Sequence, residues 1–256
     1  MKKDNIIGGK PQPGESPENQ PHITVENAVE LINEFFSKIS HEIRTPVNAL
    51  QQAARQLESE LQFFNNNDIT RLTTIMVEDS ERLARTVDLL VNFAMIRSGT
   101  YKVKKEKFDL FQEVLTKIVA SRKTFAEKKG LRFLINSSTL NTEVVADVYS
   151  VTHILSNIID NAVLFTKEGM IEIEITRLTE GNLIVSIIDS GIGIDPGYIN
   201  EVFNPFSQES KGYTREYDGI GLGLPVAKGF CELNNIELKI SSQKYAGTVV
   251  SLKFEV

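Results

Sequence analysis

The sequence predicts a helical hairpin followed by an α+β sandwich, in which helices cover one face of a mixed sheet. Between residues 39 and 61 apolar side chains recur every three or four residues, the period of an amphipathic helix. A second repeat of the same period fills residues 69–97. Beyond residue 100, short strand-like segments alternate with helical ones, and the later segments can pair as hairpins, which is typical of an α+β domain.

Residues 1–22 mix prolines and glycines with polar residues and have no period, so we expect a disordered tail. The first helix should begin near Thr24 and end near Gln62, with Pro46 as an internal kink. After a turn at 65–68, the second helix should occupy 69–97 and end at Ser98-Gly99. The hairpin domain is therefore assigned to residues 23–99.

Each predicted helix carries one apolar stripe, and pairing two such helices leaves part of both stripes uncovered. A second copy of the hairpin would complete a four-helix bundle, so we expect a homodimer. The alternative is a monomeric hairpin packed on the domain that follows. The stripes consist of Ile39, Ile43, Val47, Leu50, Ala54, Leu57 and Leu61 in the first helix, and of Leu72, Met76, Leu83, Val87, Leu90 and Phe93 in the second.

Residues 100–256 form the second predicted domain. Gly130 is placed to end one helix, and Asp147 is placed to cap another that ends near Phe165. Helices are expected over 109–129, from 147 to about 165, and over 222–233, with an irregular Gly-rich stretch from 190 to 221. Strands are expected over 101–107, 131–136, 144–146, 171–175, 183–189, 237–242 and 249–254.

Composition excludes several classes of protein. The 256 residues carry a formal net charge of −6, which gives no electrostatic reason to expect a nucleic acid as partner. The single cysteine, Cys231, excludes an intrachain disulfide and fits a reducing compartment. No run approaches the roughly 18 apolar residues that a membrane span needs, and no apolar signal-peptide core follows Met1.

His41 lies off the apolar stripe of the first helix, so its imidazole should reach solvent. Glu42 is its neighbour, and Thr45 lies one turn further on the same face. A neutral imidazole is a nucleophile near pH 7, and an adjacent carboxylate can hold one ring N–H so that the other nitrogen attacks. A solvated surface histidine without chemistry is the alternative.

Asn157 and Asn161 are one turn apart in the helix that follows Asp147, so both carboxamides project from one face. Amide oxygens suit Mg²⁺, which takes hard oxygen ligands and keeps several waters. Two polar residues on the solvated side of a helix would give the same pattern. The pair is therefore a candidate metal site that needs support from the rest of the chain.

Asp189 ends a predicted strand and is followed by Gly191 and Gly193. Its carboxylate can accept a hydrogen bond from an exocyclic amine, which would select adenine, and the glycines let the backbone approach a flat ring. Further on, a glycine-rich loop leads into a helix and so presents backbone N–H groups to phosphate. That loop contains Gly219, Gly221 and Gly223.

The segment Phe203-Asn204-Pro205-Phe206 places two aromatic rings that can pack a loop onto the core. Between it and the glycine-rich loop, residues 208–218 are polar and include Lys211 and Arg215. This segment is either a mobile lid over a nucleotide or an ordinary surface loop.

Both the sequences of these motifs and their order along the chain resemble those of sensor histidine kinases. Ser40-His41-Glu42-Ile43-Arg44-Thr45-Pro46 is similar to the phosphoacceptor box of that family. The segments 154–166, 187–194, 203–206 and 219–224 are similar to its N, G1, F and G2 boxes. The resemblance covers residues 30–256. It implies a dimerisation and histidine phosphotransfer domain, followed by the ATP-binding domain of the gyrase, Hsp90, histidine kinase and MutL superfamily.

The resemblance implies that ATP is bound with Mg²⁺, that His41 takes the γ-phosphoryl group, and that an aspartate of a response regulator then receives it. Glu42 would activate His41, and Thr45 matches the position that family phosphatases use to orient water. Asn161 would bind the metal, and the nucleotide contacts would be Asn157, Asn161, Asp189, Gly191, Gly193, Phe206, Lys211, Gly219, Gly221 and Gly223. We expect a cytoplasmic protein, or the cytoplasmic part of a longer membrane-bound sensor.

Leu164 departs from the family pattern, which usually has Lys or Arg at this position, and Lys167 is a nearby cation at a different helical angle.

Two functions other than a histidine kinase remain as alternatives. An ATPase of the same superfamily would need a glutamate where this chain has Asn157, and an amide cannot take a proton at neutral pH. A dimeric scaffold with a degenerate nucleotide domain is favoured only by Leu164.

Overall fold

The computed structural model describes residues 47–57, 59, 67–209 and 220–255. The predictions for the tail, for the start of the first helix and for the kink at Pro46 concern residues outside these ranges. Across the ranges described, each helix is too short or too polar to cross a membrane.

The hairpin consists of helix α1, described over 47–57, and helix α2, Asn67–Arg97. A hydrogen-bonded ion pair between Arg55 and Glu81, at 2.8 Å, joins the two helices. Helix α2 ends as predicted, because Gly99 takes a φ of 69° that favours glycine.

The apolar stripe of α2 is uncovered in the single chain. Leu72 is 61% exposed, Met76 49% and Leu83 46%, although each is a large apolar side chain on the predicted stripe. In α1, Val47 and Ala54 are buried, whereas Leu50 and Leu57 on the same stripe are exposed. The hairpin therefore covers only part of its own apolar surface within the residues described.

The second half of the chain contains a mixed five-stranded sheet, with the strand order β2-β4-β5-β7-β6. Strand β2 is parallel to β4, and every other neighbouring pair is antiparallel. A separate antiparallel pair is formed by β1 and β3. The strands are β1 Glu106–Asp109, β2 Arg132–Ser137, β3 Glu143–Ala146, β4 Met170–Arg177, β5 Leu183–Asp189, β6 Ile236–Gln243 and β7 Gly247–Phe254.

Three α-helices accompany the sheet: α3 Thr116–Lys128, α4 Val148–Phe165 and α5 Gly223–Asn234. A π-helical segment, Leu110–Leu115, leads into α3. Burial alternates along the strands, so one face of the sheet packs into a core shared with these helices while the other is more exposed. In β4 the core side chains are Ile171, Ile173 and Ile175. The predicted α+β sandwich, with helices on one face, is confirmed.

Most element boundaries agree with the sequence to within two or three residues, but the strand expected over 101–107 is wrong at its start. Strand β1 begins only at Glu106. The backbone N–H of Lys104 donates instead to the carboxylate of Asp147, at 2.7 Å. A side-chain acceptor has therefore replaced a neighbouring strand as the partner of this backbone segment.

The end of the hairpin packs against the second half of the chain. Phe93 and Ile96 of α2 lie against the shared core. Gly229 of α5 makes close packing possible here, because a Cβ at that position would lie 2.6 Å from Cγ2 of Ile96. The domain boundary placed between residues 99 and 100 remains a prediction.

Candidate functional site

The candidate site lies between helices α4 and α5. Asp147 caps α4, because its carboxylate accepts from the backbone N–H of Ser150 at 2.8 Å. A Cβ at Gly223, the first residue of α5, would lie 4.0 Å from Cβ of Asn157 and 4.0 Å from Oδ1 of Asn161. The two predicted amide side chains therefore face the N-terminus of α5, where unpaired backbone N–H groups favour an anion.

Asn157 has a polar atom without a partner. Its Nδ2 atom is buried and makes no hydrogen bond among the residues that the structure describes. Leaving a buried donor unpaired costs about 1–3 kcal/mol, so an acceptor on a ligand would relieve a penalty already present in the fold. Asn157 is thus suited to donate a hydrogen bond into the site.

A metal ion at this site would depend on amide and ligand oxygens. The described residues contain no cluster of three or more His, Cys, Asp or Glu side chains that could hold a metal. Oδ1 of Asn161 is a hard oxygen beside the N-terminus of α5. This donor set fits Mg²⁺, which retains waters and is usually bound by few protein ligands together with substrate phosphates.

Asp189, the residue predicted to accept a hydrogen bond from adenine, is the last residue of β5. Burial raises the pKa of its carboxyl, and hydrogen bonds from the backbone N–H groups of Gly191 and Thr248 offset this effect only in part. The bond from Gly191 measures 2.9 Å. Burial therefore disfavours the ionised form of Asp189, and a hydrogen-bond donor on a ligand would stabilise that form.

Gly191 and Gly193 are required by the packing of the chain on itself. A Cβ at Gly191 would lie 2.5 Å from the carbonyl oxygen of Phe165. Gly193 has a φ of 62°, and a Cβ there would overlap the carbonyl oxygen of Gln243. The structure gives each glycine a reason within the protein, which is contact with the end of α4 and with the β6–β7 hairpin. The predicted approach of a flat ligand ring to these glycines remains a prediction.

The aromatic motif and the glycine-rich loop form one unit. The backbone N–H of Phe206 donates to the carbonyl of Gly221 at 3.0 Å. Gly221 has a φ of 69°, and a Cβ there would lie 2.6 Å from the carbonyl oxygen of Ser207. The ring of Phe206 is 62% exposed and meets the edge of the Phe93 ring of α2 at 5.9 Å. This unit therefore reaches from the site to the hairpin.

Leu164 is half-buried near the end of α4. Lys167, the nearby cation, lines a shallow depression together with Ser190 and Gly191. Lys167 thus lies beside the turn that follows Asp189, whereas Asn157 and Asn161 face the start of α5.

Five predicted site residues lie outside the described ranges and remain predictions: His41, Glu42, Thr45, Lys211 and Gly219. Most of the segment 208–218, predicted to be either a lid or a surface loop, also lies outside the described ranges, since 210–219 are not described.

Sequence reasoning missed two residues around Asp189. Thr166 is fully buried, and its hydroxyl oxygen has no hydrogen-bond partner among the described residues. Gly247 has a φ of 100°, and a Cβ there would overlap the carbonyl oxygen of Asp189. Only Gly247 carried a usable signal, because a glycine in a strand, here at the first position of β7, often marks a close approach of two backbones.

Two family models match the chain. Residues 31–99 match the His Kinase A (phospho-acceptor) domain, and residues 146–256 match the histidine kinase-, DNA gyrase B-, and HSP90-like ATPase domain. The matches have the order that the sequence predicted, with the phosphoacceptor domain first.

Among curated relatives, the autoinducer 2 sensor kinase/phosphatase LuxQ of Vibrio cholerae is 29% identical over 90% of this chain and 26% of its own length. LuxQ of Vibrio parahaemolyticus is 31% identical over 87% of this chain and 26% of the relative. An uncharacterized sensor-like histidine kinase of Rhizobium meliloti is 31% identical over 88% of this chain and 43% of the relative. The chain thus spans less than half the length of these relatives.

Solved structures share the fold. Full-length ShkA in complex with AMPPNP has a TM-score of 0.66 and 23% identity, covering 87% of this chain and 45% of that protein. The Acinetobacter baumannii histidine kinase AdeS has a TM-score of 0.57 and 23% identity, covering 84% and 97%. Histidine kinase ThkA, solved with the response regulator protein TrrA, has a TM-score of 0.56 and 19% identity, covering 89% and 62%.

Proposed function

We propose that this chain, which belongs to the histidine kinases through its two matched domains, transfers the γ-phosphoryl group of ATP to His41 and then to an aspartate of a response regulator. The observation that carries the proposal is the position of Asn157 and Asn161 opposite the N-terminus of α5. Two polar amides and a helix N-terminus at one place supply oxygen ligands and N–H donors for a metal–phosphate group.

The nucleotide is proposed to span the site from Asp189 to the start of α5. Asp189 would accept from the adenine amine, and the loop that contains Gly221 and Gly223 would donate its N–H groups to phosphate. Asn161 would hold Mg²⁺, which when bound neutralises charge that develops on the phosphates. Asn157 would donate its unpaired N–H to the ligand, because that donor has no described partner in the protein.

His41 and Glu42 complete the proposed reaction. The carboxylate of Glu42 would hold one ring nitrogen of His41 in its protonated form, so that the other nitrogen attacks the γ-phosphorus. The bond from the γ-phosphorus to the bridging oxygen breaks, ADP leaves, and the phosphoryl group remains on the imidazole. Most of the catalysis is then positioning and charge stabilisation by the catalytic domain.

An ATPase is the second candidate, and Asn157 argues against it. An amide at this position cannot take a proton from water at neutral pH. Among the residues that the structure describes, the Nδ2 atom of Asn157 has no acceptor, and a hydrogen-bond donor of this kind cannot act as a general base. A site in which residue 157 cannot activate water is better suited to transfer to a histidine than to hydrolysis.

We propose a homodimer formed through the hairpin. The exposed stripe of Leu72, Met76 and Leu83 on α2 supports this assembly, because a second hairpin would cover it. Packing on the following domain, the monomeric alternative, accounts only for the end of α2, around Phe93 and Ile96. We place the reaction in the cytoplasm, where ATP is supplied and where the free, buried thiol of Cys231 stays reduced.

The proposal is tested by two measurements on the full chain. Titration with a fluorescent ATP analogue and Mg²⁺ should give saturable binding, which a degenerate scaffold would lack. Incubation with γ-labelled ATP should give protein-bound label that is lost in acid and stable in base, as expected for a phosphohistidine. Release of labelled phosphate without labelled protein would indicate the ATPase instead.

Replacing Thr45 by alanine should separate two activities. The Thr45 hydroxyl is proposed to hold a water in line with a phospho-aspartate docked on the bundle, and it is too weak an acid to drive phosphorylation of His41. Autophosphorylation should stay near normal, while dephosphorylation of the regulator slows about tenfold, or about 1.4 kcal/mol in barrier. Decay of labelled regulator measures this, and Thr45→Ser is the matched control. Joint loss of both activities would assign Thr45 a structural role.

Replacing Asp189 by asparagine should weaken nucleotide binding at least tenfold, because a charge-assisted hydrogen bond is worth about 1.5–3 kcal/mol. The same change should raise the thermal midpoint of the free protein near pH 7, because it removes a buried charge whose pKa the fold raises. Because the pKa of Asp189 is raised in the folded state, its protonated carboxyl stabilises the fold at low pH. This contribution to stability is lost as the pH rises through the folded-state pKa.

The gap in midpoint between Asp189→Asn and the unmodified chain should therefore narrow as pH falls. Asp195→Asn, an exposed carboxylate in the following loop, is the control and should change neither binding nor midpoint appreciably. Unchanged nucleotide affinity in Asp189→Asn would remove Asp189 from the proposed site.

A further inference from the structure

One buried carboxylate ties together three parts of the chain. Asp147 is 4% exposed and accepts hydrogen bonds from the hydroxyl of Tyr101 at 3.0 Å and from the N–H of Lys104 at 2.7 Å. It also caps α4 through the N–H of Ser150, at 2.8 Å. Tyr101 and Lys104 belong to the connection between α2 and β1, so the segment that leaves the hairpin is fastened to the first turn of α4.

The same residue is bonded to the last turn of α5. The backbone N–H of Asp147 donates to Oδ1 of Asn234 at 2.8 Å, and Asn234 is itself buried. Nδ2 of Asn234 donates to the carbonyl of Phe230 at 2.9 Å. Lys105 adds a bond to the carbonyl of Asn234 at 3.2 Å. The start of α4 and the end of α5 are therefore joined at one point, where the connection also arrives.

Tyr101 is held by its ring as well as by its hydroxyl. Its ring meets the edge of Phe230 at 4.9 Å and stacks on Tyr149 at 6.2 Å. Burial raises the pKa of Tyr101 to about 12, so the hydroxyl remains a donor at physiological pH. Burial also raises the pKa of Asp147, but the bonds from Ser150 and Lys104 outweigh it and the net shift is downward. The Tyr101–Asp147 bond thus joins a neutral donor to a carboxylate.

This junction and the candidate site lie at opposite ends of one helix pair. Helices α4 and α5 run antiparallel, because Asp147 meets Asn234 at one end and Asn161 faces Gly223 at the other. Asp147 and Asn161 are 14 positions apart, or about 21 Å along a helix. The relative tilt of two stiff helices fixes the spacing at both ends together. A change of tilt at the junction would therefore alter the gap between Asn161 and the N-terminus of α5.

Helix α2 is docked over the junction. The hydroxyl of Tyr149 donates to Oδ1 of Asn92 at 3.1 Å, and Ile96 packs against Gly229 of α5. The chain then continues from α2 through Ser98 and Gly99 into Tyr101. A rotation of α2 would therefore displace the segment that is bonded to Asp147.

We propose that Tyr101 and Asp147 couple the position of α2 to nucleotide binding, so that the state of the hairpin and occupancy of the site between α4 and α5 influence each other. The inference rests on the proposed function, because it takes that site to bind nucleotide. Tyr101 acts here as a positioning residue and touches no ligand. The influence must be reciprocal, since a coupling free energy acts equally on both sites.

Hydrogen–deuterium exchange on the full chain, with and without AMPPNP and Mg²⁺, tests the coupling. In the unmodified chain the nucleotide should slow exchange both at the site, over 220–226, and at the remote connection, over 98–105. In Tyr101→Phe the site should still respond, while the response at 98–105 is lost and the nucleotide Kd rises about fivefold, the lower end of typical coupling. Leu140→Ala, which alters a fully exposed side chain in the connection between β2 and β3, should behave as unmodified.

The outcomes separate the two hypotheses. A response at 220–226 without one at 98–105 in the unmodified chain overturns the coupling and leaves the proposed function standing. A remote response that persists in Tyr101→Phe, with unchanged Kd, overturns the assignment to Tyr101. No response at 220–226 and no binding overturn the proposed function and the coupling with it. A purely structural role for Tyr101 would lower the thermal midpoint without removing the remote response.

Discussion

Replacement of His41 by glutamine should abolish the acid-labile label that the chain acquires from γ-labelled ATP. Glutamine keeps helix propensity and polarity but has no nucleophilic ring nitrogen, so the loss should be complete and not partial. Nucleotide binding should be unchanged, because the proposed ATP contacts lie in the catalytic domain. Labelling followed by acid and base treatment measures the first effect, and fluorescence titration measures the second.

The chain offers matched controls for this experiment, since it contains only two other histidines, His22 and His153. His22→Gln lies in the predicted tail and should label normally. Glu42→Gln should keep the label but acquire it about 100-fold or more slowly, the usual contribution of a group that assists proton transfer. Label retained in His41→Gln would show that another side chain is the acceptor.

Replacement of Asn161 by alanine should reduce labelling by on the order of 100-fold or more, as expected when charge stabilisation at a transferring phosphoryl group is lost. Asn161 is only partly buried and contributes no apolar packing, so dimer formation and the thermal midpoint should be preserved. Labelling at increasing Mg²⁺ and size-exclusion chromatography measure the two properties.

Asn136→Ala provides the comparison, because this asparagine is exposed on β2 and its side chain bonds only to Glu172 among the interactions described. It should label like the unmodified chain. If Asn161→Ala labels normally with Mg²⁺ and ATP, the metal does not depend on this amide and the assignment of the N box is wrong.

The parts of the fold that depend on local chemistry could be predicted from the sequence. Asp147 has the residue type and position of a helix cap, and the structure confirms that it caps α4. The spacing of Asn157 and Asn161 placed both on one face, and both do approach Gly223. The pairing of later strands as hairpins is also confirmed, because β4 and β5 pair antiparallel around a turn in which Gly181 has a φ of 96°, which glycine adopts at no cost.

Features that depend on contacts between distant segments could not be predicted. Residues 101–105 alternate like a strand, yet the distant carboxylate of Asp147 takes the backbone N–H of Lys104. Likewise, nothing near Gly229 in the sequence indicates that Ile96 occupies the space above it. The need for glycine at position 191 arises from the carbonyl of Phe165, which is remote in sequence. Local patterns identify such positions without giving their partners.

The exposed stripe on α2 has a consequence for how the two halves of the chain respond to dilution. The catalytic half encloses its own core, so its stability is a property of a single molecule. The hairpin leaves Leu72, Met76 and Leu83 uncovered. Because a second chain would cover them in the proposed dimer, the stability of the hairpin would depend on protein concentration. Phosphotransfer would then obey mass action and fall steeply at low copy number, whereas nucleotide binding, which needs only one chain, would change only through the proposed coupling between hairpin and site. In the proposed dimer, the concentration of the protein would therefore help to set the rate of phosphotransfer.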